Sequence, residues 1–157
     1  MKEILKLVFA IGVCQSAGLI GSVFTAPAIP GWYEQLAKSA LTPPGWVFGP
    51  VWFVLYTLMG ISLYLVWRKR TKEECQCATL GVFFFQLTLN VLWSYLFFGL
   101  REPLLGLVGI AALFLAILAT VWQFWNVSRA AAYLLVPYIL WAGFAAYLNL
   151  AIWQLNS

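Results

Sequence analysis

The stretch Trp32–Tyr56, WYEQLAKSALTPPGWVFGPVWFVLY, decides how this chain is read. It lies between two long apolar runs and concentrates aromatics, prolines and glycines. Trp32, Trp46 and Trp52 fall within it, and Pro43, Pro44 and Pro50 restrict the backbone around them. A plain connection does not need so much rigid aromatic surface. A lid and mouth for a flat apolar ligand do.

Outward from this stretch the chain is 64% hydrophobic and 9% charged, with a mean hydropathy of +0.90. Soluble domains are about half apolar and a quarter charged, so the class is membrane protein. Five segments are long enough to cross a bilayer as helices, at about 4–24, 44–67, 78–99, 103–125 and 130–155. Alternating barrel-strand patterns are absent, so helices must satisfy the backbone in lipid. The fold class expected is an all-α membrane protein, a single domain over 1–157. Its five-transmembrane-helix bundle carries a long, partly helical lid loop at about 25–43. Pro27, Pro30, Gly31, Pro43 and Gly45 read as breakers in that loop, with a short helix between them over 31–40. Pro50 and Pro137 are expected to bend the second and fifth helices. The first segment is longer than a signal peptide's apolar core, and Pro27 sits badly for cleavage, so it reads as a retained helix.

The net charge of +4 is a topology signal rather than a basic face for nucleic acid, which is not expected as a partner. Lys2, Lys6, Arg68, Lys69, Arg70, Lys72 and Arg129 fall on one side of the expected spans, and Lys38 and Arg101 on the other. The positive-inside rule then puts the N-terminus in the cytoplasm and the C-terminus, with the Trp32 region, outside. The three cysteines, Cys14, Cys75 and Cys77, have no metal or disulfide spacing.

Helical faces carry the remaining signal. Gln86, Asn90, Trp93, Ser94 and Phe97 share one face of the third segment. An unpaired amide in hydrocarbon costs several kcal/mol, so Asn90 should face the bundle interior, either bonding a neighbouring helix or lining a cavity. Tyr138, Trp141, Ala145 and Asn149 share a face of the fifth segment, Gly49, Trp52, Tyr56 and Gly60 one of the second, and Gln15, Gly18 and Ser22 one of the first. The fourth segment lacks such a face and reads as a lipid-facing or packing helix. Trp67, Trp122, Trp125 and Trp153, near span ends, fit an interfacial belt, and Trp46 fits wall or belt. Gly12 to Ser16 and Ala17 to Gly21 are small-residue spacings that permit close helix contact. The chain has no His, no buried carboxylate pair and no phosphate loop, so acid–base catalysis, haem ligation by His and ion-coupled transport are unsupported.

Taken together, Trp32-Tyr33, Pro43-Pro44-x-Trp46-Val47-Phe48 leading to Trp52 and Tyr56, Leu89-Asn90 with Trp93-Ser94 and Phe97-Phe98-Gly99, Pro137-Tyr138 with Trp141, and Leu148-Asn149 resemble the translocator protein or tryptophan-rich sensory protein family, TspO/MBR, in a bacterial-type member. The resemblance spans essentially the whole chain. It implies a homodimer in the bacterial cell membrane, with a cavity open toward the first loop. The implied ligands are tetrapyrroles such as protoporphyrin IX and benzodiazepine-type small molecules, with no required cofactor or metal. The implied ligand-binding positions are Trp32, Tyr33, Pro43, Phe48, Trp52, Tyr56, Asn90, Trp93, Trp141 and Ala145, and Lys38 or Arg101 would meet propionates at the rim. Trp32 and Trp141 match the two tryptophans tied to light-dependent porphyrin breakdown, an enzymatic alternative to passive binding. A structural or interaction role without a ligand is the other alternative. Family members often carry Lys-Pro in the loop, whereas this chain has Lys38-Ser39, which predicts a less rigid lid. No Lys or Arg follows Tyr147 to complete a sterol motif, which argues against a sterol ligand.

Overall fold

The computed structural model describes residues 2–69 and 73–157, with side chains over 3–69 and 77–157. The topology readings of Arg70 and Lys72, and the side chains of Lys2 and Cys75, lie outside the described residues.

All described secondary structure is helical: α1 (Lys2–Ala28), α2 (Phe48–Trp67), α3 (Glu73–Ser94), α4 (Pro103–Val127), α5 (Arg129–Leu134) and α6 (Val136–Asn156). Five stretches are long and apolar enough to cross a bilayer: Glu3–Tyr33, Gly45–Trp67, Cys77–Gly99, Pro103–Val127 and Arg129–Asn156. The chain is therefore a multi-pass membrane bundle. α1 packs along α2 and α3, α4 lies against α3 and α6, and α5 fits between α2 and α4. Glycines set the closest approaches. A Cβ on Gly60 would stand 2.5 Å from the Ile11 Cα, and one on Gly106 would stand 2.5 Å from the Phe97 ring. Of the two readings of the fourth span the packing one holds on its inner face, with Ile110, Leu113 and Ile117 fully buried.

The first loop is much shorter than its prolines suggested. α1 runs through Pro27 and passes into a π-helical turn, Ile29–Tyr33, with Pro30 at its start. Of the expected separate helix over 31–40, residues 31–35 instead continue the first helix, and 36–40 are loop. A proline costs a helix one N–H and crowds the carbonyl four residues back, and a widened turn relieves both constraints. Pro50 is also corrected. It sits in the first turn of α2, after the short 3-10 turn Gly45–Val47, where the backbone N–H has no intrahelical partner to lose.

Pro137 acts as expected. α5 ends at Leu134 and α6 begins at Val136, with Pro137 in its first turn. The Leu135 N–H turns to the Ala132 carbonyl at 3.1 Å. This frees the Ala131 carbonyl, and Ser62 Oγ on α2 donates to it at 2.7 Å. Gly12 and Ser16 face outward, whereas Ala17 and Gly21 are buried within the bundle, so the two small-residue spacings of α1 serve different surfaces. Trp46 is 76% exposed and Trp122 66%, as belt residues are.

Candidate functional site

The inner faces of α2, α3 and α6 meet in one polar chain. The Tyr56 hydroxyl donates to Asn90 Oδ1 at 2.6 Å, and Asn90 Nδ2 donates to the Tyr138 hydroxyl at 2.7 Å. Tyr138 donates in turn to Gln86 Oε1 at 2.9 Å. All four residues are buried. Asn90 thus realises the inter-helix role, because both ends of its amide are taken by tyrosines. Trp93 Nε1 donates to Asn149 Oδ1 at 3.3 Å, and Asn149 Nδ2 donates to the Pro103 carbonyl at 2.8 Å, which ties α3, α6 and the start of α4.

Above this chain lies a continuous aromatic cluster. Trp52 stands 6.0 Å from Trp93 and 5.5 Å from Tyr56, centroid to centroid. Trp93 stacks on Phe97, which meets Trp32 edge-on at 5.5 Å. Tyr33 bridges Phe97, Phe98 and Phe48, and Phe48 meets Trp141 at 6.1 Å. Phe97 and Phe98, in the π-turn Tyr95–Gly99, are both buried.

Beside the cluster is a cavity of about 280 Å³. α1 contributes Gln15, Gly18, Ser22 and Thr25 to its wall, and α2 contributes Phe48, Trp52 and Tyr56. The end of the third span adds Trp93, Ser94 and Phe98. Leu19 and Phe53, both exposed, also line it, so it opens along the α1–α2 seam. Gly18 makes room for the floor, since a Cβ there would meet the Tyr56 ring at 2.6 Å.

The ten sequence-derived positions divide. Phe48, Trp52, Tyr56 and Trp93 line the cavity. Trp32, Tyr33 and Trp141 belong to the aromatic cluster but not to the cavity wall, and Asn90 sits behind Tyr56. Ala145 is buried on α6, and Pro43 is half-buried in the loop. The Trp141 indole N–H is buried and has no hydrogen-bond partner among the described residues. The α1 residues, read in the sequence only as a shared face, prove to be one full wall.

The loop is tied down rather than loose. Asn156 Nδ2 donates to the Ala37 carbonyl at 2.9 Å while its Oδ1 accepts from the Ala37 N–H at 3.0 Å. Ser39 Oγ bonds the Tyr147 hydroxyl at 2.9 Å, so the serine that departs from Lys-Pro is itself a tether. Lys38 does not present a free cation at the rim. Its Nζ donates to the carbonyls of Tyr33, Glu34 and Leu36 at 2.8–3.2 Å and lies 5.1 Å from the Tyr33 ring centroid, closing the end of the first span. Arg101 is exposed at the turn after the third span, at φ 59°.

Comparison with known proteins agrees with this architecture. The TspO/MBR family model matches residues 10–154. The chain is 46% identical to the tryptophan-rich protein TspO of Archaeoglobus fulgidus, over 99% of each chain. It is 39% identical to the Homo sapiens translocator protein, over 87% of this chain and 82% of the human one. It is 34% identical to a tryptophan-rich sensory protein of Cereibacter sphaeroides, over 83% of this chain and 85% of that one.

Proposed function

The chain belongs to the TspO/MBR family, and from that premise we propose that it is a membrane receptor for flat aromatic ligands of the tetrapyrrole class, acting in their transport, sensing or stress regulation. The observation that carries this reading is the cavity wall. Trp52, Trp93, Tyr56, Phe48 and Phe98 present ring surface to one space within the membrane-spanning bundle. Aromatic rings favour offset or edge contacts with a planar ligand. The cavity, at about 280 Å³, is near the lower limit of the roughly 300–1,000 Å³ usual for small-molecule pockets. A compact drug-like aromatic fits this shape, whereas a full macrocycle requires the α1–α2 seam to part. That seam is where the exposed Leu19 and Phe53 line the opening.

The proposal includes a homodimer in a cell membrane with the N-terminus cytoplasmic. Lys69 Nζ donates to the Val127 carbonyl at 2.9 Å and Tyr64 donates to Glu3 at 3.2 Å, so the N-terminus, the end of α2 and the α4–α5 junction share one end of the bundle. Lys6, Arg68, Lys69 and Arg129 gather there, which supports this orientation.

Protoporphyrin IX titrated in the dark against protein in nanodiscs, with tryptophan fluorescence as the signal, tests the reading. Trp52→Ala should weaken binding about tenfold, in line with the roughly 0.5–1.5 kcal/mol of an aromatic pair beyond the buried area it also loses. Saturable binding that is unchanged in Trp52→Ala would remove the cavity from the argument. Repeating the titration in light separates binding from photo-oxidation. Repeated turnover lost in Trp32→Phe or Trp141→Phe would favour the enzymatic reading.

A further inference from the structure

The polar groups facing the cavity are few, and the helices have already used most of their donors. Ser22 Oγ donates to the Leu19 carbonyl at 2.7 Å, Thr25 Oγ1 to the Gly21 carbonyl at 3.1 Å and Ser94 Oγ to the Asn90 carbonyl at 3.4 Å. The Tyr56 and Trp93 protons go to Asn90 and Asn149, behind the wall. Gln15 is the one amide in the lining, and its orientation is fixed by chemistry. Its Nε2 lies 3.0 Å from the Phe53 carbonyl and 2.9 Å from Thr57 Oγ1. The Phe53 carbonyl can only accept, and Thr57 Oγ1 spends its own proton on that same carbonyl at 2.9 Å. Both partners are therefore acceptors toward Gln15. A flipped amide would set its oxygen against a carbonyl oxygen at hydrogen-bond distance, so the NH₂ end must face α2. The NH₂ end is thereby engaged by α2, Gln15 Oε1 makes no hydrogen bond among the described residues, and Gln15 lines the cavity. No Lys or Arg is in the lining.

We propose that Gln15 is the specificity-determining residue of this cavity: its locked Oε1 receives an N–H or O–H donor from an uncharged aromatic ligand, and the absence of a lining cation keeps ionised carboxylates outside. Among the described residues the Trp52 indole N–H makes no hydrogen bond, and as Trp52 lines the cavity it can serve an acceptor on the same ligand. One donor of this kind does not compensate the desolvation of a carboxylate. Any acidic substituents on a ligand therefore stay at the seam or beyond it. The inference rests on the cavity being a ligand site, but not on the ligand being a tetrapyrrole.

The test uses carbazole, 9-methylcarbazole and carbazole-3-carboxylate against nanodisc-embedded protein at neutral pH, read by tryptophan quenching and corrected with protein-free nanodiscs. The first two differ in the ring N–H, which the second replaces with N–CH₃. Wild type should prefer carbazole over its N-methyl analogue about two- to tenfold, the range of one net hydrogen bond, and bind the carboxylate at least about tenfold more weakly. Gln15→Met keeps the side-chain length and should bind carbazole and its N-methyl analogue equally. Equal wild-type affinities for the matched pair, or a preference that survives in Gln15→Met, overturn the proposal. The wild-type comparison alone decides it if a variant does not fold. A clear carbazole preference with no protoporphyrin IX binding overturns the tetrapyrrole reading and leaves Gln15 standing. Protoporphyrin binding without any N–H preference does the reverse.

Discussion

Replacing Asn90 with leucine removes the centre of the polar chain at nearly constant side-chain shape, and the structure says what is left behind. The Tyr56 hydroxyl loses its acceptor at 2.6 Å and becomes a buried orphan donor. The Tyr138 hydroxyl loses a donor but still gives its proton to Gln86. One orphaned O–H in a protein interior costs about 1–3 kcal/mol. Side-chain hydrogen bonds between membrane helices average nearer 0.6 kcal/mol, with a ceiling of about 1.7, because the unfolded helices also find partners in lipid. The single variant should therefore lose about 0.6–1.7 kcal/mol, below the upper soluble values. The sharper statement concerns Tyr56→Phe/Asn90→Leu, in which the orphan no longer exists. There the Asn90 substitution should cost about 1 kcal/mol less than it does alone, beyond the 0.3–0.5 kcal/mol scatter of independent sites. Unfolding by SDS in mixed micelles, followed by tryptophan fluorescence, supplies the four stabilities of the cycle. Additive losses would refute the claim that Asn90 holds Tyr56 and thereby the cavity floor.

Other perturbations separate the parts of the site. Gly18→Ala puts a Cβ 2.6 Å from the Tyr56 ring, so it should cost about 1–3 kcal/mol as overpacking and weaken any cavity ligand; thermal stability and the protoporphyrin titration check both. Asn156→Ala should speed hydrogen exchange over residues 36–44 while leaving the global unfolding midpoint within about 1 kcal/mol, because the exposed tether at Ala37 holds the loop locally. Arg101→Gly relieves a left-handed backbone that costs a side-chain residue about 1–2 kcal/mol, partly offset by glycine's extra freedom when unfolded; a stabilisation of up to about 1 kcal/mol is expected in the same SDS assay. Cys77 is exposed at the basic end of the bundle and Cys14 is buried, so a membrane-impermeant maleimide should label wild type in inverted vesicles but not in intact cells.

The membrane class and the helical bundle were legible because hydropathy is a sum over many residues and lipid leaves the backbone few alternatives. The inward faces were legible for the same physical reason: Gln86, Asn90 and Asn149 are too costly to leave in hydrocarbon, and all three are buried and bonded, Gln86 through its Oε1 alone. The prolines misled. Pro27 and Pro30 read as loop because their local penalty is visible, whereas the π-turn that absorbs it depends on the packing of Tyr33 between Phe48, Phe97 and Phe98. Lys38 read as a ligand contact because a cation at a rim is a generic signal. Its capping role depends on where the helix ends, which the misplaced loop concealed. The cavity wall on α1 was the least visible part. Gln15, Gly18 and Ser22 carry little hydropathy signal, and their value comes from the empty side of a glycine and the unused oxygen of an amide.

That difference bears on how the aromatic residues divide their work. A tryptophan face in a sequence suggests a stacking surface, yet Trp32, Trp93 and Trp141 meet other rings first. Ring-on-ring packing of this kind holds α1, α2, the third span and α6 around a common centre, and a ligand does not need to be present for it to form. What it leaves at the α1–α2 seam is one face of Trp52 and Trp93 turned toward the glycine-opened side of α1. The cluster thus supplies rigidity and the seam supplies access. Substitutions at Trp32, Tyr33 and Trp141 should change stability before affinity, and substitutions at Gln15, Gly18 and Trp52 should change affinity, because of these six only the last three border the space a ligand would fill.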